Sequence, residues 1–260
     1  MTENEERIYL LEELLNESDE FRDIHIPSKV EDQKVLLRSL MNIRQPRTIS
    51  SRFLQIQDDY LQQQLSHEEI TDVNSLKPVS RDPRIYIWQG DITTLKIDAI
   101  VNAANNQMCG CFIPMHACID NIIHSKSGIE LRLYCANMMH KQGHLEPIGS
   151  AKITPAFNLP SKYILHTVGP IIYDRVHKKD EELLKSCYKE CLKLADENNI
   201  KSIAFCCIST GEFHFPNELA ANIAINTVKE YLEKTNIEKV VFNVFKNIDK
   251  KLYEQILESK

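Results

Sequence analysis

Three side chains that bind soft metals lie within one eight-residue segment, 111–118. Cys111, His116 and Cys118 supply two thiols and an imidazole, the ligands that zinc favours in a tetrahedral site. Three protein ligands leave one position open, as in catalytic zinc sites, whereas structural zinc usually takes four. The segment therefore predicts a Zn2+ site with an open position. Cys109 is close enough to be a fourth ligand, and the site would then be closed.

The same three residues also have a simpler interpretation. Eight cysteines in 260 residues bring some together by chance, and free cysteines are often small buried apolar residues. The spacing matches neither common zinc fingers nor the HExxH motif, and the glutamate of zinc deaminases is missing. Spacing alone leaves zinc ligands and buried thiols as open alternatives.

A carboxylate follows the metal-ligand segment at helical spacing. His116, Asp120 and His124 are four residues apart, which predicts one face of a helix that begins around Pro114. Asp120 then projects from the turn after His116. It could be a general base, a partner that orients the histidine, or a carboxylate near the helix cap. These three roles stay open.

Three further polar segments each follow a strand-like run. They are Gly90-Asp91-Ile92, the asparagines 102 and 105, and Ser209-Thr210-Gly211-Glu212-Phe213. A carboxylate can accept a hydrogen bond from an exocyclic amine, amides suit ribose hydroxyls, and loop amides before a helix suit a diphosphate. Each segment is also an ordinary turn by itself. Because its charge would repel a phosphate, we expect Glu212 to face outward.

Short strands alternate with helices from residue 83 to residue 260. The predicted strands are RIYIWQ, AIVNA, SAKITPAF, KYILHTV, KSIAFCCIS and KVVFNVF, and the predicted helices cover residues 180–199 and 217–234. This alternation predicts an α/β fold with helices on both faces of a sheet. Such sheets bind ligands at the carboxyl ends of their strands, where the three polar segments fall.

Residues 1–82 show helical spacing and no candidate strand. IYLLEELL, KVLLRSLMNI and FLQIQDDYLQQQL place apolar residues three and four apart. The segment is therefore an all-helical extension, either packed on the main domain or acting as a lid over the site.

Composition limits the class of protein. A net charge of −6 gives no broad attraction to phosphate backbones, so we expect no nucleic-acid partner. No run of about 18 apolar residues occurs and MTENEERIYL does not resemble a signal peptide, so we expect no membrane association. The scattered cysteines suit a reducing compartment. We expect a cytoplasmic monomer.

Five motifs together resemble the macrodomain family, which binds ADP-ribose. They are GDIT, IVNAANN, IDNIIH, ILHTVGP and ISTGEFHFP, and they span about residues 84–248. In macrodomains a glycine-rich run usually precedes the VDGAIH-like segment, which is IDNIIH in this chain, and here CFIPMHAC replaces that run. With the helical extension around LLRSLMNIRQP, this departure resembles the zinc-dependent bacterial class of macrodomains, often encoded beside a class M sirtuin ADP-ribosyltransferase.

The resemblance implies a fold and a set of site residues. The fold is a three-layer α/β/α sandwich with a mixed central sheet in residues 83–260, preceded by the extension. The implied metal ligands are Cys111, His116 and Cys118. The implied contacts are Asp91 and Ile92 with the adenine, Phe245 stacked on it, Asn105 with the distal ribose, and Ser209, Thr210, Gly211, Glu212 and Phe213 around the diphosphate and that ribose. Asp120 and Asn105 are the implied catalytic residues.

The function implied by the resemblance is hydrolysis. The chain would remove mono-ADP-ribose from acidic side chains of a modified protein with Zn2+ as cofactor, reversing sirtuin-type modification. The modified protein could be a lipoyl carrier of the glycine cleavage H type. Two alternatives stay open, a module that binds ADP-ribose without turnover and a deacylase of O-acyl-ADP-ribose.

Overall fold

The computed structural model describes residues 1–258. Its helices are α1 (Glu3–Leu15), α2 (Val30–Ile43), α3 (Ser51–Ser66), α4 (Ile119–Ser127), α5 (Ile129–Gln142), α6 (Lys178–Glu197), α7 (Asn217–Leu232) and α8 (Asn247–Glu258). Its strands are β1 (Thr71–Asp72), β2 (Pro78–Val79), β3 (Asp82–Gln89), β4 (Leu95–Lys96), β5 (Ala99–Ala104), β6 (Ala151–Pro155), β7 (Tyr163–Val168), β8 (Ser202–Phe205) and β9 (Lys239–Val244). In this part of the chain, no helix has the length and hydropathy needed to cross a membrane.

Seven strands form one mixed sheet in the order β2-β3-β9-β8-β5-β7-β6. The five inner strands run parallel, and β2 and β6 pair antiparallel at the two edges. β8 is buried along its whole length, as expected for a strand covered on both faces. α6, α7 and α8 contact one another in series, while α4 and α5 pack together beside β5 and β6. The predicted α/β sandwich with a mixed sheet is confirmed.

The first three helices form a separate small core on the main domain. Leu10, Leu37 and Phe53 are buried in it, and Ile129 of α5 completes it. The side chain of Gln57 accepts a hydrogen bond of 2.8 Å from the backbone N–H of Ile129. The helices of the extension are therefore packed on the main domain, with α2 against α4.

The expectation that residues 1–82 contain no strand is wrong for residues 71–72 and 78–79, and for Asp82, which begins β3. β1 pairs in parallel with β4, and β2 pairs with β3 at the edge of the main sheet. β1 and β2 have two residues each, too few for an alternating pattern to be visible. Pro78 is tolerated there because an edge strand leaves one side unpaired.

Candidate functional site

A cavity of about 490 Å³ opens at the carboxyl ends of β5, β8 and β9. This is the edge at which parallel α/β sheets bind ligands. The segments that follow these strands line it together with the segment 111–118. The predicted site residues among its walls are Asn105, Cys111, His116, Cys118, Asp120, Ser209, Thr210, Gly211, Glu212, Phe213 and Phe245.

The three predicted metal ligands converge at this cavity. One ligand atom from each of Cys111, His116 and Cys118 lies within 4.8 Å of the others. Cys111 Sγ is 3.6 Å from His116 Nδ1. Bond lengths of about 2.3 Å to sulfur and about 2.0–2.1 Å to nitrogen at a tetrahedral angle give a separation of about 3.6 Å. The donor set therefore fits a zinc ion, and Cys109 lies outside the group.

The thiolate form of Cys118 is disfavoured when no cation is bound. Burial, and the nearby thiol of Cys111, raise the pKa of Cys118 to about 12. A bound cation removes this penalty because it stabilises the thiolate forms. His116 Nε2, the ring nitrogen away from Cys111, has Glu212 Oε1 at 4.0 Å. This distance is too long for a hydrogen bond, so Glu212 lies near the imidazole without orienting it.

The prediction that a helix begins around Pro114 is wrong. α4 begins at Ile119, and Cys118 is its N-cap, with its Sγ accepting the N–H of Asn121 at 3.4 Å. Met115 has a left-handed φ of 54°, which a helix cannot contain. The helix therefore carries Asp120 but not His116, and the metal ligands lie on an irregular loop.

A buried arginine in α5 holds this loop against the extension. Arg132 is 5% exposed. Its guanidinium donates to the carbonyls of Cys109 (2.8 Å) and Cys111 (3.4 Å) on the loop. On the other side it donates to three carbonyls at the end of α2, those of residues 41, 42 and 44. The negative end of the helix dipole lies there and partly offsets the buried charge.

Two side chains of α2 also bind the metal-ligand loop. Asn42 Oδ1 accepts the N–H of Met115 at 3.0 Å, which fixes the residue with the left-handed backbone. Arg38 donates to Asn121 Oδ1 (2.9 Å) and to the carbonyl of His116 (3.4 Å). The extension therefore contributes directly to the shape of the site, although it does not cover it as a lid.

Asp120 is buried in the first turn of α4 and ends a hydrogen-bonded chain. The amide of Asn102 donates to Asp120 Oδ1 at 2.8 Å and to His166 Nδ1 at 3.1 Å. His166 Nδ1 is then an acceptor, so Nε2 carries the proton that faces Thr154 Oγ1 at 2.9 Å. Burial raises the pKa of Asp120 to about 6, against the opposing effect of the Asn102 hydrogen bond. The carboxyl group can therefore exchange a proton near neutral pH.

Asn105 both shapes the turn after β5 and reaches the carboxylate. Its Nδ2 donates to the carbonyl of Gly110 at 3.0 Å and approaches Asp120 Oδ2 at 3.4 Å. Its Oδ1 accepts the N–H of Gln107 at 3.0 Å. Gly110 has a φ of 81°, and a Cβ there would lie 2.8 Å from the ring of His124. Both interpretations of Asn105, turn residue and site residue, are consistent with these contacts.

The loop after β8 brings backbone and one hydroxyl to the cavity. Ser209 has a left-handed φ of 63°, a conformation often found at ligand-binding loops. Its buried Oγ has no hydrogen-bond partner within residues 1–258. The Ser209 Oγ packs against Gly169, and a Cβ added at residue 169 would lie 2.0 Å from this oxygen. Gly211 and Glu212 are exposed. As expected, the Glu212 side chain is mostly exposed (68%), although it also lies beside His116.

Asp91 and Ile92 are not among the residues that line the cavity. Asp91 Oδ1 accepts from the N–H and the hydroxyl of Thr93, at 2.9 and 2.6 Å, and so caps the short helix that follows. Gly90, just before it, receives a 3.0 Å hydrogen bond from Asn243, which does line the cavity. The pair therefore flanks the end of the cavity where Phe245 is 77% exposed.

Several positioning residues were not identified from the sequence. They are Arg38, Asn42, Arg132 and His166. A charged residue within the apolar run IELRLYC and a histidine within the strand ILHTV were the available signals, since polar groups in buried elements need partners. For the two residues of α2 we find no comparable signal.

Comparison with known proteins identifies relatives over the whole chain. The Macro domain family model matches residues 101–224. "Protein-ADP-ribose hydrolase" of Treponema medium is 54% identical over 99% of this chain and 100% of its own. The protein of the same name from Staphylococcus aureus is 49% identical over 96% of this chain and 94% of its own. The Trypanosoma brucei macrodomain in complex with ADP-ribose is 28% identical, with a TM-score of 0.67 over 84% of this chain and 94% of that chain.

Proposed function

Because the chain belongs to the macrodomain family, we propose that it is a protein-ADP-ribose hydrolase that removes mono-ADP-ribose from acidic side chains. The observation that carries this proposal is the convergence of Cys111, His116 and Cys118 beside Asp120 in one cavity. Relatives at 49–54% identity are named protein-ADP-ribose hydrolase. The proposed cofactor is one zinc ion per chain.

ADP-ribose binding is assigned along the carboxyl edge of the sheet. Asp91 and the N–H of Ile92 receive the adenine at one end, with Phe245 beside it. The loop of residues 209–213 offers backbone donors to the diphosphate before α7 begins, as anion sites at helix starts do. The distal ribose then lies near Asn105, at the end of the cavity that holds the metal-ligand loop.

Cys111, His116 and Cys118 would hold the zinc ion at the distal ribose. When bound, zinc supplies Lewis acidity, either toward an oxygen of the substrate or by lowering the pKa of a water molecule. Cys109 lies outside the ligand group, which favours an open fourth position and therefore catalysis over a purely structural ion.

Asp120 is the group that moves a proton in this proposal. Asn102 and α4 fix its carboxylate within the cavity wall. Its place in the wall of the cavity, with the Asn102 hydrogen bond on Oδ1, is what a general base needs in order to reach a water molecule there. It would orient or deprotonate the attacking water, while the adenine and diphosphate contacts supply binding that does not change along the reaction.

We also propose that the chain reverses the modification made by a sirtuin-type ADP-ribosyltransferase. It would act as a monomer in the cytoplasm. Its candidate substrate is a lipoyl carrier of the glycine cleavage H type. The test is release of ADP-ribose and recovery of the free carboxylate, measured by mass spectrometry. Binding without release would favour an ADP-ribose reader, and faster turnover of free O-acyl-ADP-ribose would favour a deacylase.

Asp91→Ala is expected to weaken ADP-ribose binding by about 1.5–3 kcal/mol, the range for a hydrogen bond to a charged group. The matched control is Asp72→Ala. Asp72 caps a three-residue helix with the same side-chain geometry but lies away from the cavity. Calorimetry decides between them: equal affinity in both variants would place the adenine elsewhere.

A further inference from the structure

The backbone between the proposed metal ligands makes one hydrogen bond to itself. Within residues 111–118, all of which the structure describes, the N–H of His116 donates to the carbonyl of Ile113 at 3.3 Å. Met115, directly before His116, has a left-handed φ of 54°. This conformation is unfavourable for any residue that carries a Cβ. The loop therefore needs contacts from other elements in order to keep its shape.

Asn42, in the last turn of α2, makes such a contact at the left-handed residue. Its Oδ1 accepts the N–H of Met115 at 3.0 Å. Asn42 is only 1% exposed, so water competes little for this hydrogen bond. In residues 1–258 it is the one side-chain hydrogen bond to the backbone of Met115. The contact therefore lies where the loop is least able to hold its own conformation.

A hydroxyl group of α4 fixes the orientation of the Asn42 amide. Ser125 Oγ donates to the carbonyl of Asn121 at 2.7 Å, so its lone pairs accept from Asn42 Nδ2 at 2.8 Å. The amide nitrogen thus faces Ser125, and the amide oxygen faces Met115. The backbone carbonyl of Asn42 also accepts from Arg132 at 2.6 Å. Both the side chain and the backbone of Asn42 are therefore held in place by the protein alone.

We propose that Asn42 is a positioning residue of the zinc site. By holding Met115 in the left-handed conformation, it would keep His116 beside Cys111 and Cys118 before the ion binds. The inference rests on the proposed zinc ion. Ligands that are already arranged lose less conformational entropy on binding, so Asn42 raises the affinity for zinc. The helical extension is then a part of the metal site.

The first test is the zinc affinity of Asn42→Ala, measured by competition with a chromogenic chelator. We expect the Kd for zinc to rise about 10–100-fold, the usual effect of removing a partner that orients a metal site. Asn158→Ala is the matched control. Asn158 is also buried, and it binds Gln62 and Asp58 of α3, so it joins the extension to the main domain away from the metal-ligand loop. The control should lower the unfolding temperature and leave the Kd for zinc unchanged.

Two substitutions of Met115 test whether Asn42 acts through the loop backbone. Met115→Val should raise the Kd for zinc with Asn42 intact, because a β-branched side chain disfavours the left-handed conformation. Met115→Gly should lower the Kd for zinc when it is added to Asn42→Ala, because glycine adopts a positive φ readily. Met115 is 39% exposed, so neither substitution should disturb the core.

Three results would overturn the inference. They are an unchanged Kd for zinc in Asn42→Ala, an equal rise in Asn158→Ala, and no recovery when Met115→Gly is added to Asn42→Ala. If Asn42→Ala does not fold, Met115→Val decides, and an unchanged Kd in that variant would likewise count against the inference. Absence of zinc from the native chain would instead refute the proposed cofactor.

Discussion

His116→Ala is expected to lower kcat and kcat/KM together by at least about a hundredfold, a scale typical of losing one electrostatic stabiliser. The reason is that His116 supplies one of the three ligand atoms that lie within 4.8 Å of one another. Two thiols alone make a poor zinc site. Zinc content, measured by elemental analysis, should fall in the same variant. This second measurement separates loss of the ion from loss of an imidazole that acts by itself.

ADP-ribose affinity should survive this substitution. Asp91 and the loop of residues 209–213 follow β3 and β8, whose positions do not depend on the metal-ligand loop. His67→Ala is the control, because His67 is 64% exposed and lies at the end of α3. Loss of binding and turnover together would indicate a structural ion. Full turnover with zinc shown to be absent would leave Asp120 as the leading catalytic group.

Asp120→Asn is expected to lower kcat by about 10²–10⁴, the usual contribution of a general acid or base. The asparagine Oδ1 can still accept the Asn102 hydrogen bond that holds Asp120 at 2.8 Å, so the fold of the site should persist. Zinc content should not change, because Asp120 is outside the ligand group. A low kcat with an unchanged zinc content distinguishes Asp120→Asn from His116→Ala.

Asp98→Asn serves as the control for the loss of a partly buried carboxylate. Asp98 precedes β5 at the opposite edge of the sheet and binds Lys162 and Ser202. Its loss should reduce stability and leave turnover unchanged. Asp120→Asn with native kcat would remove Asp120 from the mechanism and leave it a helix-cap carboxylate.

The sequence was informative where chemistry is local. Cys111, His116 and Cys118 lie within one short segment, and their grouping in space agrees with one of the two interpretations that the sequence left open. The polar segments after β5 and β8 were placed at the cavity because carboxyl ends of neighbouring parallel strands meet at one edge. The strand pattern also predicted the α/β sheet, and the resemblance to macrodomains implied that this sheet is mixed.

What the sequence did not predict depends on distant contacts. Asn42 fixes Met115 and Arg132 joins the end of α2 to the metal-ligand loop, across 73 residues in the first case and 88 to 91 in the second. Residues 114–118, where the spacing suggested the start of the helix, lie before α4 and are held by these contacts. Asp91 lies in the motif that the sequence indicated for the adenine. Its carboxylate accepts hydrogen bonds from Thr93, however, and lies beside the cavity.

Removal and restoration of the metal shows whether turnover depends on zinc. The native chain is stripped with a chelator, zinc loss is verified by elemental analysis, and hydrolysis of a carboxylate-linked ADP-ribosyl protein is measured before and after addition of Zn2+. We expect loss of turnover on stripping, retention of ADP-ribose binding, and recovery that saturates at about one zinc per chain. Undiminished turnover by the zinc-free chain would contradict it.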